Sequence, residues 1–361
     1  MRIAVVQAYP SYHDHSVAGW LAKDDRDKWI PGLLASLGHE VELWAGAWER
    51  LSEERHPAGM GAYTLRLFPT QGSQQDQGKP PRSKQHWSPA LIEHAQQWQP
   101  QLCFIKGVDG NVGLQLIHRY LHPLGRPYVL VIGGRYYHAD ASPEAAMNLL
   151  ETPKQERRLQ RKLQSQGQHQ HDLQQKLCLL PKSVDTEHFK PTGSPKRWDV
   201  LGVGRLIPRS KNYRALGRLS KHCSVAIAGD GPLLTKLKQR YPAITWLGHV
   251  PHAQLPEAYN AARLFMHSGC RDYFPRVLSE AAACGIPCLV FRQGIEAGLL
   301  PQEGMLRLSR WNYLRPTLAL LNQPEARRQD MGLCLRNHVL RHYARDSTRA
   351  TLIKVLQQLN E

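Results

Sequence analysis

Asp272 and Glu280 are two carboxylates eight positions apart in the segment Ser268-Gly-Cys-Arg-Asp-Tyr-Phe-Pro-Arg-Val-Leu-Ser-Glu-Ala-Ala-Ala-Cys-Gly-Ile-Pro-Cys288. The apolar run Leu264–His267 predicts a strand before this segment, and Pro275 suits the first turn of a helix running to Cys284. A helix starting there turns unpaired N–H groups and the positive end of its dipole into the loop, which favours a phosphate. Glu280 is expected in or near that first turn. The two carboxylates can then accept hydrogen bonds from sugar hydroxyls while the helix end holds a diphosphate. A plainer reading of the same residues has Asp272 capping the helix and Glu280 complementing its dipole.

Other residues invite chemistry less strongly. His13-Asp14-His15 offers metal-ligand types, but three adjacent residues cannot all face one ion without a strained loop, so an acceptor-side role or plain loop exposure is expected for His13 and His15. Asp25-Arg-Asp27 precedes the helical pattern Lys28–Leu37 and reads as capping. Gly133-Gly134-Arg135 ends a strand, which makes Arg135 and His138 further acceptor-side candidates. The seven cysteines are scattered with no Cys-x-x-Cys, so buried free thiols are expected and no metal site.

The elements that must position these residues repeat in two series. Strands are predicted at Arg2–Ala8, Glu40–Ala45, Thr64–Phe68, Leu102–Ile105, Tyr128–Ile132 and Met147–Leu150, with helices such as Lys28–Leu37 and Val112–Leu121 between them. A second series follows at Trp198–Val203, Ser224–Ala228, Ile244–Leu247, Leu264–His267 and Cys288–Phe291. Two α/β series predict two Rossmann-like domains, with a seam near 185–198 where Pro191, Gly193 and Pro195 interrupt regular structure. Residues Leu335–Leu359 are helical in pattern. Gln71–Trp87 reads as a mobile loop, and Arg157–Lys176 as a solvated helix face in which His169 and His171 need no function.

Of the net charge of +17, residues 1–195 carry +3 and residues 196–361 carry +14. So basic a second half attracts an anion: a nucleotide diphosphate, a nucleic acid or an acidic membrane. No run of about 18 apolar residues occurs and the first residues lack the pattern of a signal peptide, so a cytoplasmic protein is expected.

Five segments, in order, resemble glycosyltransferase family 4. Lys182-Ser-Val-Asp-Thr-Glu-His-Phe-Lys-Pro191 is similar to the family's entry into its second domain, and Val203-Gly-Arg-Leu-Ile-Pro-Arg-Ser-Lys-Asn212 to its Gly-Arg-Leu…Lys segment. Ala228-Gly-Asp-Gly-Pro232 and Trp246-Leu-Gly-His-Val250 resemble its next strand ends, and Asp272-x7-Glu280 its Glu-x7-Glu signature. The resemblance implies an α/β fold of two Rossmann-like domains facing across a cleft (GT-B). It implies an acceptor-side domain over 1–190, a donor domain over 191–341, and a helix over about 342–361 that returns to the first.

By position, Arg205 and Lys211 are implied to bind the diphosphate and stabilise charge on the leaving nucleotide; in plain terms each is a surface cation. Glu280 is implied to hold the ribose and Asp272 the transferred sugar, with the amides of Arg276 and Val277 on the diphosphate. Gly229, Gly231 and Val250 are implied to lie near the nucleotide, although Gly-Asp-Gly-Pro is also simple turn chemistry. The chain departs from the family in three ways. Lys211 follows Arg205 by six residues, one more than usual; Asp272 is a methylene shorter than Glu; and the first strand–helix loop lacks Gly-Gly, leaving Gly19 for the donor.

The resemblance implies a retaining, metal-independent glycosyl transfer with no cofactor. The donor is a nucleotide-sugar and the acceptor a glycan or other hydroxyl, with at most weak peripheral membrane contact. A nucleic-acid binder should interleave aromatics with its basic residues, and an oxidoreductase should carry Gly-x-Gly-x-x-Gly after the first strand; neither pattern occurs. A GT-B-like protein that binds a sugar nucleotide or glycan without catalysis is the remaining alternative.

Overall fold

The computed structural model describes residues 1–8, 16–21, 29–71, 86–134, 137–208, 211–269, 272–296 and 298–360. The chain divides into two compact units: Met1–Leu180 with Thr348–Glu361, and Pro181–Ser347.

The first unit is built on an eight-stranded sheet. Its strands are β1 (Arg2–Gln7), β2 (Glu40–Ala47), β3 (Leu51–Arg55), β4 (Tyr63–Pro69), β5 (Leu102–Lys106), β6 (Tyr128–Ile132), β7 (Met147–Leu150) and β8 (Leu177–Leu179), in the order β3-β4-β2-β1-β5-β6-β7-β8. All neighbours are parallel except β3, which pairs antiparallel with β4. The runs Leu102–Ile105 in β5 and Tyr128–Ile132 in β6 are apolar throughout because both sheet faces are covered. On β1, Ile3 and Val5 join Leu33, Leu34 and Leu352 on one face, while Ala4 and Val6 join Leu91, Val112 and Leu159 on the other.

The second unit holds β9 (Trp198–Val203), β10 (Val225–Ala228), β11 (Thr245–Gly248), β12 (Ala262–His267), β13 (Cys288–Phe291) and β14 (Met305–Leu308). These strands run parallel in the order β11-β10-β9-β12-β13-β14. Counted from β9 this is 3-2-1-4-5-6, the doubly wound Rossmann order, whose direction reverses between β9 and β12. Leu201 and Val203 face one core and Val200 the other, as alternation on a doubly covered sheet requires.

Several expectations are corrected. The units divide at Leu180–Pro181, upstream of the 185–198 seam. That breaker-rich stretch is tied into the second unit: the Val184 N–H donates to the Tyr343 carbonyl, Phe189 lies in the core, and the Thr192 N–H donates to Asn260. The helix expected over 335–359 is two, Glu325–His342 and Arg345–Asn360. The break seats the Tyr343 ring against Phe274, with its hydroxyl on the Leu299 carbonyl. The 112–121 helix becomes Asn111–Leu116 followed by a wider turn that the His122 N–H closes on Ile117. Strands β3, β8 and β14 were not anticipated; all lie at or next to sheet edges, and β3 is polar (Leu51-Ser-Glu-Glu-Arg55). Asp25, Asp27 and most of the Gln71–Trp87 loop lie outside the described residues, although Gln71 and Trp87 pair backbone to backbone.

Candidate functional site

In an open parallel sheet, loops leaving the carboxyl ends of strands on either side of the reversal point frame a crevice. Here those loops follow β9 and β12. They are tied together by a backbone bridge between Lys211 and Gly269 and by the Asn212 N–H, which donates to the Ser268 carbonyl at 2.8 Å. The loop after β10 joins them: the Leu206 N–H donates to the Asp230 carbonyl, and the Gly229 N–H to Gly248.

Glycine makes this approach feasible. A Cβ on Gly229 would collide with the Gly204 carbonyl oxygen, and one on Gly231, at φ +149°, would sit 2.7 Å from the Leu206 oxygen. Gly229 and Gly231 therefore shape the floor of the loops, which is a backbone role. Val250, just beyond β11, packs against the core of the second unit.

Lys211 turns its ammonium back onto the Val203 carbonyl, under Gly204. Burial above all, with a smaller contribution from the Arg205 guanidinium and against the opposing pull of Asp272, lowers its pKa to about 8. Despite the extra residue between them, Arg205 and Lys211 are thus electrostatic neighbours in one loop. Arg205 is held by its backbone, whose carbonyl accepts from the Tyr213 hydroxyl at 3.0 Å.

Asp272 does not cap the following helix. Helix Arg276–Ala283 has Pro275 at its cap position and no side-chain cap. The Asp272 carboxylate instead lies 3.2 Å from Nε2 of His267, the last residue of β12, while its own N–H donates to the Gly294 carbonyl. The His267 ring, then Lys211 and Lys182, hold this carboxyl below the usual carboxylate range against the opposing effect of burial. Lys182 is fixed by donation to the Phe274 carbonyl at 3.1 Å.

Glu280 lies near the first turn, as expected, but its carboxylate is engaged by other side chains. It lies in the second turn of the helix and is 6% exposed. One oxygen accepts from the Tyr259 hydroxyl at 3.0 Å, and the other lies 3.3 Å from His252 Nε2. The first turn, with the backbone of Arg276 and Val277, carries no acidic residue. The Tyr259 hydroxyl also reaches the Val277 carbonyl, at 3.2 Å, and burial followed by the Glu280 charge pushes its pKa up.

The structure therefore gathers Arg205, Lys211, Gly229, Gly231, Asp272 and Glu280 around the carboxyl edge of one sheet. Sequence reasoning missed His267, His252 and Tyr259. Each is a lone polar residue in an apolar or irregular run, where nothing local marks a partner far along the chain. In the first unit, Gly19 lies within the short helix Val17–Leu21. His138 holds a local turn: its N–H donates to Ser142 Oγ and its Nδ1 accepts from the Asp140 N–H. His13, His15 and Arg135 lie outside the described residues. Among the described residues, no group of three His, Cys, Asp or Glu side chains is placed to hold a metal ion.

Residues 198–307 match the family model described as Glycosyl transferases group 1. Over 148 residues the chain is 26% identical to the phosphatidylinositol N-acetylglucosaminyltransferase GPI3 subunit of Saccharomyces cerevisiae, covering 35% of this chain and 33% of that protein. Over 114 residues it is 33% identical to a GDP-mannose-dependent alpha-mannosyltransferase of Mycolicibacterium smegmatis, covering 31% and 30%. The chain spans about a third of the length of these relatives. The fold is shared with a sucrose-phosphate synthase from Thermosynechococcus elongatus at a TM-score of 0.74 and 17% identity, over 99% of both chains. The chain has the GT-B fold, and its second unit is similar in sequence to glycosyltransferases.

Proposed function

We propose that this chain transfers a sugar from a nucleotide-sugar to a glycan or other hydroxyl acceptor, with retention at the anomeric carbon and without a divalent metal. The observation that carries this reading is the joining of the β9 and β12 loops, which puts Lys211 within electrostatic reach of both Asp272 and Arg205 at the reversal point of the sheet. In this reading the two cations and the amides of Arg276 and Val277 take the diphosphate. They supply the positive charge that Mg²⁺ brings elsewhere. Glu280, fixed by Tyr259 and His252, takes the ribose, and Asp272 takes hydroxyls of the transferred sugar.

As the bond from the anomeric carbon to phosphate breaks, charge collects on the phosphate oxygens facing Lys211 and Arg205. That is where fixed cations lower a barrier. The same phosphate can accept the proton of the incoming hydroxyl, so no separate base is needed. A reducing, cytoplasmic setting belongs to the proposal and is supported by the six described cysteines, all of them free.

Thermal-shift measurements against UDP-, GDP- and ADP-sugars test the donor. A ligand at a hundred times its Kd stabilises by roughly 2.7 kcal/mol. With the identified donor, turnover in EDTA is expected to equal turnover in Mg²⁺ or Mn²⁺, and the product linkage to match the donor. Absence of stabilisation by every donor, metal-dependent rescue, or an inverted linkage would each overturn the corresponding part.

A further inference from the structure

His267 is 1% exposed at the end of β12, and its polar atoms do nothing for the core around it. Neither ring nitrogen makes a well-directed hydrogen bond, although Nε2 lies 3.2 Å from Asp272 Oδ2. A buried imidazole without good partners is costly, so such a residue calls for an explanation.

The surroundings are built around this contact. A Cβ at Gly269 would strike His267 Nε2 and lie 2.7 Å from Asp272 Oδ2, so only glycine lets the chain pass beside the pair. The Gly269 carbonyl in turn leaves room only for glycine at 294, whose own carbonyl receives the Asp272 N–H. Asp272 is thus held from its backbone on one side and met by His267 on the other, while its side chain stays 48% exposed.

We infer that His267 is a positioning residue for Asp272: it directs Nε2–H at one carboxylate oxygen and leaves the other to meet a sugar hydroxyl. The inference rests on the reading of Asp272 as the sugar contact. Burial lowers the pKa of His267, and the ring holds that of Asp272 down, consistent with a neutral donor facing an ionised acceptor.

The test measures how much the sugar adds to nucleotide affinity. Titration calorimetry on the full chain compares UDP with UDP-N-acetylglucosamine, and GDP with GDP-mannose, using the pair selected by the thermal-shift screen. His267→Ala and Asp272→Asn are each expected to cut the sugar's contribution about tenfold and to leave the nucleotide's Kd within about twofold. The double variant should lose no more than Asp272→Asn alone, because one residue acts through the other. His267→Gln, whose amide reaches the place of Nε2, should keep most of the contribution, and His267→Leu, which fills the buried space without a donor, replaces the alanine variant in the cycle if that one fails to fold.

Equal weakening of nucleotide and nucleotide-sugar by His267→Ala, or losses that multiply in the double variant, would overturn the inference alone. An unchanged sugar contribution in Asp272→Asn would instead overturn the reading of Asp272, and this inference with it.

Discussion

Lys211 is the residue whose chemistry is most altered by its surroundings. With its pKa lowered to about 8 it is charged at neutral pH and loses its proton as pH rises through about 8. A diphosphate binds the charged form, so UDP or GDP affinity should fall about tenfold per pH unit above that point. Lys211→Ala should weaken binding by about tenfold or more and abolish the alkaline fall. An alkaline fall that persists in the alanine variant would assign the titration to another group. Arg205, Lys211, Asp272 and Glu280 were singled out by their order along the chain and their resemblance to a motif, although the Arg205–Lys211 spacing is one longer and Asp272 one methylene shorter than the family pattern. Their partners were not. Tyr259 and His252 reach Glu280 across 21 and 28 positions, and nothing in the local pattern of either records that contact.

At the scale of elements, the meeting of the loops after β9 and β10 depends on backbone lying against backbone. Gly229→Ala should therefore destabilise the protein by about 2 kcal/mol or more, because a carbonyl rather than a flexible side chain stands in the way. Thermal unfolding checks this, and a melting temperature within a degree of the parent would show that the loops separate freely. Strands were legible where they lie inside a doubly covered sheet: Tyr128–Ile132 and Cys288–Phe291 are continuous apolar runs, Met147–Leu150 and Trp198–Val203 are apolar but for Asn148 and Asp199, and all four occur with the bounds expected. Of the edge strands, β3 escaped notice because one neighbour relieves it of the need to be apolar, and β8 and β14 because three or four residues are too short a run to stand out. Glu280 is the fifth residue of its helix, just past the first turn in or near which it was expected, with Pro275 at the N-cap.

At the scale of the whole molecule, charge separates along the chain, with +3 in residues 1–195 and +14 beyond. Helix Pro153–Gln164 carries Arg157, Arg158, Arg161 and Lys162, and it buries Leu159 and Leu163. Arg161 Nε is turned onto the Arg157 carbonyl and Lys162 lies over the Tyr137 ring, so part of this small patch is already engaged. Each basic residue at an anionic surface contributes about 1 kcal/mol within a Debye length. Co-sedimentation with anionic vesicles should accordingly be weak and vanish at physiological salt. Tight binding that is lost on neutralising those four residues would show a membrane-held acceptor. No helix among the described residues is long and apolar enough to cross a membrane.

The last helix bears on how the protein is made. Leu352, Val355 and Leu356 complete an apolar cluster with Ile3, Val5 and Leu33, so the first unit is closed by residues synthesised after the whole of the second. On the ribosome the second unit is continuous and can fold as it emerges, while the β1 core waits with one wall missing. Nascent chains that have cleared the ribosome to about residue 347 would hold a finished second unit while the first remained open and aggregation-prone, and the order of folding would reverse the order of translation.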